Sequence, residues 1–134
     1  DWKVVRQRLQ VLEDLGLGYL TLGEDTPSLS GGEAQRLKLA SEMGRGQEDT
    51  VFVFDEPTIG LHPLDVRTLM GVFQTLLDSG ATVVVIEHDL DVIRSADYLV
   101  DMGPGGGESG GEIVAAGPPT QVKQNPRSIT GRYL

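Results

Sequence analysis

Two runs of β-branched and aromatic residues, separated by one amphipathic segment, constrain the fold of this 134-residue chain most strongly. The runs are Thr50 to Phe54 and Thr82 to Ile86, and each is continuous rather than alternating, which is typical of strands buried on both faces of a parallel sheet. Between them, a helical pattern begins at Pro63 and ends at Gly80. This strand–helix–strand order predicts a right-handed crossover between parallel strands of an α/β fold.

The flanking segments add further predicted elements to this unit. Apolar spacing predicts helices from Trp2 to Leu15 and from Ser30 to Met43, the second ending at Gly44 and Gly46. After the second strand we expect a short helix, two strands joined by a glycine-rich turn, and a helical tail. The short helix is expected over 90–95, and the two strands over 98–102 and 112–116. The glycine-rich turn between them covers 103–111, and the helical tail runs from 118 onward. We therefore expect a helical segment over 1–46 and an α/β core over 47–134.

Composition excludes several classes of function. The net charge of −9 argues against a broad nucleic-acid surface, because binding to phosphates requires clustered Lys and Arg. The chain has no cysteine, so it forms no disulfide or thiolate metal site, which favours a reducing compartment. Its apolar runs are too short to span a bilayer, and no secretory signal is recognisable.

Residues Leu29 to Arg36 form the first informative motif, Leu-Ser-Gly-Gly-Glu-Ala-Gln-Arg. Ser30 followed by Glu33 predicts a capping box at the start of a helix. Gly31 and Gly32 also leave backbone N–H groups uncovered at the positive end of that helix, where an anion such as a terminal phosphate is favoured. The structural and the phosphate-binding interpretations are compatible.

The second motif is the acidic end of the first apolar run. Asp55 and Glu56 follow four apolar residues, and ligands of open α/β sheets bind at the carboxyl ends of strands. We expect Asp55 to hold Mg²⁺ through water and Glu56 to act as general base on the attacking water. A solvated acidic loop is the alternative interpretation.

The second apolar run ends similarly, in Glu87, His88 and Asp89. On a neighbouring parallel strand, His88 is expected to reach a γ-phosphate and stabilise transition-state charge, although a lone histidine is more often structural. A metal cluster of these residues with Asp91 is less favoured, because successive strand residues point to opposite faces.

Together, these motifs resemble those of the ATP-binding cassette superfamily, in the same order and at spacings of about twenty and thirty residues. Within that superfamily, the particular residues of these motifs resemble those of the UvrA family, the damage-recognition ATPases of bacterial nucleotide excision repair. The resemblance is carried by the motif at 29–36, by Gly16 to Leu20, by the turn Gly60-Leu61-His62, and by Asp101 to Pro104 before a glycine run. It extends over nearly the whole chain and is greatest for the second, C-terminal cassette.

The resemblance implies an ABC-type (RecA-like) parallel sheet with flanking helices and a role for each matching residue. Ser30, Gly31 and Gly32 would contact the γ-phosphate of ATP bound at the opposite cassette, and Glu33 and Gln35 belong to the same nucleotide site. Asp55 matches the acid that holds magnesium, Glu56 the general base and His88 the switch histidine. Residues 60–62 match the turn at the interface between cassettes. Ile59 stands where the family is expected to have Thr.

The resemblance also implies ATP and Mg²⁺ as cofactors, a cytoplasmic homodimer, DNA bound through regions outside this chain, and a UvrB-type partner. A UvrA-like ATPase of drug resistance and a non-enzymatic module that docks on a complete cassette are the alternatives. No Gly-x-x-x-x-Gly-Lys-Ser/Thr motif occurs in the sequence. We therefore expect the chain to be a fragment that does not hydrolyse ATP by itself.

Overall fold

The fold is taken from a computed structural model that describes residues 1–23, 25, 29–43, 48–105 and 110–134, without the side chains of 63 and 64. Its contacts divide the chain into two compact units, Asp1–Glu87 and His88–Leu134, which are described separately. The predicted stops at Gly44 and Gly46, and the segment boundary at 46, lie outside the described residues. No helix in the described ranges is long and apolar enough to cross a membrane.

The elements follow the predicted order closely. The first unit contains α1 (Trp2–Asp14), α2 (Gly31–Glu42), β1 (Val51–Asp55), α3 (Pro63–Asp78) and β2 (Thr82–Ile86). The second contains α4 (Leu90–Ser95), β3 (Leu99–Gly103), β4 (Glu112–Gly117), α5 (Pro119–Lys123) and a final 3₁₀ turn (Thr130–Tyr133). The α/β class is confirmed.

In the first unit, β1 and β2 pair in parallel, as the crossover prediction requires. The register runs from Val51 opposite Thr82 to Asp55 opposite Ile86, so both strands end at the same edge of the sheet. One face of the pair packs on α3, where the ring centroid of Phe54 lies 5.0 Å from that of Phe73. The remaining buried residues of this core are Leu15, Leu17, Leu39, Leu69, Val72, Leu76 and Ala81.

The prediction that both strands are buried on both faces is wrong for this structure. Val51 and Val53 of β1 are 61% and 64% exposed, and Val84 and Ile86 of β2 are 46% and 52% exposed. These four residues share one face because side chains alternate along a strand. Helix α3 covers only the opposite face, and no described element of the first unit covers this one. We call these residues the open face.

In the second unit, β3 and β4 pair antiparallel with an irregularity between Asp101 and Met102, and they flank the predicted glycine-rich turn. Residues 106–109 of that turn lie outside the described residues. The predicted helical tail forms two short helical elements, and Ser128 between them is fully buried. The Ser128 hydroxyl donates to Asp101 Oδ2 at 2.5 Å, and Thr130 Oγ1 donates to Asp101 Oδ1 at 2.9 Å.

Candidate functional site

Helix α2 begins at a complete capping box, which confirms the structural interpretation of its first residues. The Glu33 N–H donates to Ser30 Oγ at 3.3 Å, and the Ser30 N–H donates to Glu33 Oε2 at 2.6 Å. The Glu33 carboxylate also accepts from the hydroxyl of Tyr19. The bond from Tyr19, followed by those from Ser30, lowers the pKa of Glu33. The carboxylate is thus stabilised in its charged form at the start of the helix.

The two glycines of the motif serve different purposes. A Cβ atom added to Gly31 would meet no heavy atom within 4 Å, so the space around this exposed residue is open. Gly32 is buried, and a Cβ there would lie 3.1 Å from Arg36 Nη1 and 3.3 Å from the Ile59 carbonyl oxygen. Gly32 therefore permits close approach of the turn after β1, whereas Gly31 leaves room for a ligand at the helix N-terminus.

Two consecutive residues of α2 bond to the backbone at the end of β1. Gln35 Nε2 donates to the Asp55 carbonyl oxygen at 2.7 Å, and the Asp55 N–H donates to Gln35 Oε1 at 2.9 Å. Arg36 Nη1 donates to the Pro57 carbonyl oxygen at 2.9 Å. The side chain of Asp55 itself remains exposed. The backbone on both sides of Glu56 is therefore held by α2.

Glu56 has a backbone conformation that non-glycine residues rarely adopt. Its φ is +46°, in the left-handed region, and its N–H donates to the Ile86 carbonyl oxygen at 2.8 Å. The following turn is fixed by a bond from the Thr58 N–H to Glu87 Oε1 at 2.9 Å. Strained backbone of this kind occurs often at functional sites and persists only where its surroundings fix it.

Arg36 is the most buried charged residue of this region, at 3% exposure. Burial lowers the pKa of Arg36, and the nearby Tyr19, Glu33 and Asp65 partly offset that shift. Its Nε atom is buried without a hydrogen-bond partner among the described residues. A guanidinium stays protonated in proteins, so Arg36 places a positive charge between the start of α2 and the turn after β1.

His88 begins the second unit and is exposed. Its acidic neighbours have local roles: Asp89 Oδ1 accepts from the N–H groups of Asp91 and Val92 at 2.9 and 3.2 Å, capping α4. Asp91 lies 3.9 Å from Arg94 in an ion pair. No group of three potential metal-binding side chains occurs in the described ranges, so the metal-cluster alternative gains no support.

The predicted interface turn, residues 60–62, begins four residues after Glu56. Gly60 is exposed with a φ of +76°, and the His62 side chain is exposed while its carbonyl accepts from the first turn of α3. Leu61 instead packs against the core, with its Cδ2 atom 3.2 Å from where a Cβ of Gly16 would lie. The turn therefore exposes its two outer residues and is held by the middle one.

Sequence reasoning missed Arg36 and Glu87 as residues that shape this site. The assignment of Gln35 to the nucleotide site stays a prediction; in the structure, the amide of Gln35 bonds to the Asp55 backbone. A signal was present for Arg36, since it lies four residues after Gly32 on the same helix face, where a glycine allows another segment to approach.

Proteins of several bacteria are similar to this chain over nearly its full length. It is 56% identical over 131 residues to the UvrABC system protein A of Aquifex aeolicus (strain VF5), a match that covers 97% of this chain and 14% of that protein. The protein of the same name in Bacillus subtilis (strain 168) is 54% identical, with the same coverage. The chain thus spans 14% of the length of these relatives. No family model matches it.

Two solved structures are also similar to this chain in both fold and sequence. The crystal structure of UvrA2 from Deinococcus radiodurans is 52% identical and superposes with a TM-score of 0.89, covering 96% of this chain and 16% of that one. MJ1267, an ATP-binding cassette of an ABC transporter, is 26% identical with a TM-score of 0.54, covering 87% of this chain and 43% of its own.

Proposed function

Because this chain belongs to the UvrA family, we propose that it is a segment of an ATPase of nucleotide excision repair and contributes to ATP binding and hydrolysis in the longer protein. The observation that carries the proposal is the contact between α2 and the acidic end of β1. This contact joins an anion-favouring helix N-terminus and a pair of carboxylates in one unit. A solvated acidic loop would not require such support.

The start of α2 suits a phosphate group. Ser30 and Gly31 are exposed, and the space beside Gly31 is open at the positive end of the helix, where an anion is favoured. In the proposed arrangement, Ser30, Gly31 and Gly32 contact the γ-phosphate of ATP bound to an opposite cassette. Glu33 stabilises this end of the helix through the capping box.

The end of β1 suits magnesium and water chemistry. Mg²⁺ is usually held by one or two carboxylates together with phosphates and waters, and the exposed carboxylate of Asp55 fits that requirement. When bound, the ion would neutralise negative charge on the phosphates. Glu56, adjacent on the chain, is the proposed general base, which orients the attacking water and accepts its proton.

The remaining predicted residues complete the proposal. His88, after the second strand, would donate a hydrogen bond to the γ-phosphate, and Gly60 to His62 would contact the opposite cassette. DNA would bind through regions outside this chain, and a UvrB-type subunit would be the partner. The working form would be a cytoplasmic homodimer produced in the SOS response.

The test is Glu56→Gln in the full-length protein. We expect kcat for ATP hydrolysis to fall by about 10²-fold or more, because the amide cannot accept the proton from water, while ATP binding changes little. Glu112→Gln, which makes the same change at an exposed strand residue of the second unit, is the matched control. Normal turnover in the Glu56 variant would refute the assignment of the general base.

A further inference from the structure

The side-chain amide of Gln35 forms hydrogen bonds to both the N–H and the C=O of Asp55, as a neighbouring strand would. Both its donor and its acceptor are used, at 2.7 and 2.9 Å. The N–H and C=O groups of one residue point to the same side of a parallel strand, so a single side-chain amide can bond to both. On the next residue, the Glu56 N–H donates in turn to Ile86 of β2. The final peptide groups of β1 are therefore held by α2 as well as by β2.

The residue between the two α2 contacts is the strained one. Asp55 is bonded by Gln35 and Pro57 by Arg36, and Glu56 with its φ of +46° lies between them. A non-glycine residue in the left-handed region is strained, and the conformation persists only where surrounding contacts hold it. Loss of either neighbouring contact would allow Glu56 to relax toward an ordinary backbone conformation and would move its carboxylate.

We propose that Gln35 is a positioning residue that holds Asp55 and Glu56 in their working geometry. Through it, helix α2 connects the Ser30 end, where phosphate is proposed to bind, to the acidic pair of the same cassette. Gln35 then acts through the backbone of Asp55 and makes no contact with nucleotide. The catalytic consequence of this role rests on the function proposed above, whereas the positioning itself does not.

The positioning is tested by hydrogen exchange in the full-length protein. Gln35→Ala removes the acceptor of the Asp55 N–H, so a peptide covering residues 51–57 should take up deuterium faster, by about tenfold at the affected amide for each 1.4 kcal/mol of lost protection. The matched control is Gln74→Ala, since Gln74 is also a helical glutamine, but its Nε2 donates to the side-chain carboxylate of Asp78, Oδ1, at 2.8 Å and holds no strand backbone. Unchanged uptake in the Gln35 variant would overturn the proposal, even if ATP hydrolysis proved absent.

Kinetics then separate positioning from nucleotide binding. We expect Gln35→Ala to lower kcat by about 10- to 100-fold with KM for ATP nearly unchanged, because a displacement of about 1 Å at reacting groups has effects of this size. In a Glu56→Gln background, the same substitution should have no further effect on turnover. A raised KM with normal kcat would overturn the proposal in favour of a nucleotide contact.

An isosteric variant guards against misfolding as the explanation. Gln35→Glu keeps the acceptor for the Asp55 N–H but replaces the donor to the Asp55 carbonyl with an oxygen. We expect exchange of the 51–57 peptide to rise less than in Gln35→Ala, and kcat to fall in the same direction. Full activity in this variant would show that the donor bond does not position the acidic pair.

Discussion

Among single residues, Glu33 has an effect on stability that depends on pH. Its folded-state pKa is lowered by hydrogen bonds from Tyr19 and Ser30. A carboxylate with a lowered pKa stabilises the fold fully above its unfolded pKa, about 4.3, and loses that contribution as the pH falls through the folded value. Stability from this source is therefore present at neutral pH and absent in strong acid.

We predict that Glu33→Gln melts at a lower temperature than the unsubstituted chain at neutral pH and that the difference disappears in acid. The glutamine can still accept the capping hydrogen bond, but it carries no charge that titrates. Melting temperatures of both chains, measured by circular dichroism from about pH 7 to about pH 2.5, provide the test. A difference that stays constant over this range would contradict the assigned cause.

Ser128 is a second residue with a defined structural role. Its buried hydroxyl donates to Asp101 and accepts from the Gly131 N–H at 2.7 Å. We predict that Ser128→Ala costs about 1–3 kcal/mol of unfolding free energy, because it leaves partner groups unsatisfied. Urea unfolding checks this, with Ser95→Ala as control, since that exposed hydroxyl bonds only within its own helix. Equal losses in both variants would contradict the prediction.

Residue contacts differed in how well the sequence predicted them. The capping box was predictable, because Ser30 and Glu33 are three residues apart and their geometry is set by the helix itself. The contact of Gln35 with Asp55 spans twenty residues and depends on how α2 packs, which no local pattern encodes. The left-handed backbone of Glu56 could not be predicted either, because a glutamate side chain does not favour that conformation.

At the scale of elements, the first unit depends on a few aromatic side chains between β1 and α3. Phe54 is 5% exposed and lies with its ring centroid 6.2 Å from that of Phe52, in a stacked arrangement, and 5.0 Å from that of Phe73. The acidic pair lies at the end of this strand, with Asp55 as its last residue and Glu56 directly after it. Packing of β1 on α3 therefore also determines where the carboxylates lie.

We predict that Phe54→Ala lowers the free energy of unfolding of the first unit by about 3–5 kcal/mol, a large part of the total for a domain. Phe52→Ala, at a half-buried position on the same strand, should cost clearly less. Urea unfolding followed by circular dichroism compares the two. A larger loss at Phe52 would mean that the core is assigned to the wrong side chain.

Element boundaries were predicted well from local pattern, and strand environment was not. The runs ending at Phe54 and Ile86 have strong β propensity, and the helical stripe after Pro63 is long and regular, so the elements and their parallel order could be predicted. How many faces of a strand are covered depends on which other elements reach it. Composition cannot reveal this, because an apolar strand face has the same sequence whether or not something packs on it.

At the scale of the whole molecule, the open face dominates the expected behaviour in solution. Four large aliphatic side chains lie together on the sheet and are 46–64% exposed, and contiguous apolar surface of this kind promotes association. The edge of a short sheet adds unpaired backbone groups that favour pairing with another copy. A net charge of −9 opposes contact between copies but is distributed over the chain.

We predict that the isolated chain self-associates as its concentration rises and that Val53→Lys together with Val84→Lys reduces this association. Light scattering over a concentration series measures the average mass directly. Val4→Lys together with Val5→Lys is the matched control, because it adds the same charge at similarly exposed residues, 47% and 45%, on α1 rather than on the open face. An equal effect of the control would show that net charge, rather than the open face, determines association.

The left-handed backbone of Glu56 has a consequence for how this sequence can change over time. Glycine, or to a lesser extent asparagine, adopts a φ of +46° at little conformational cost, so stability alone would favour either of them at this position. Directed evolution for heat resistance, without a screen for hydrolysis, would therefore tend to replace the proposed base. Thermal robustness and the catalytic role proposed for Glu56 are opposing demands at this single position.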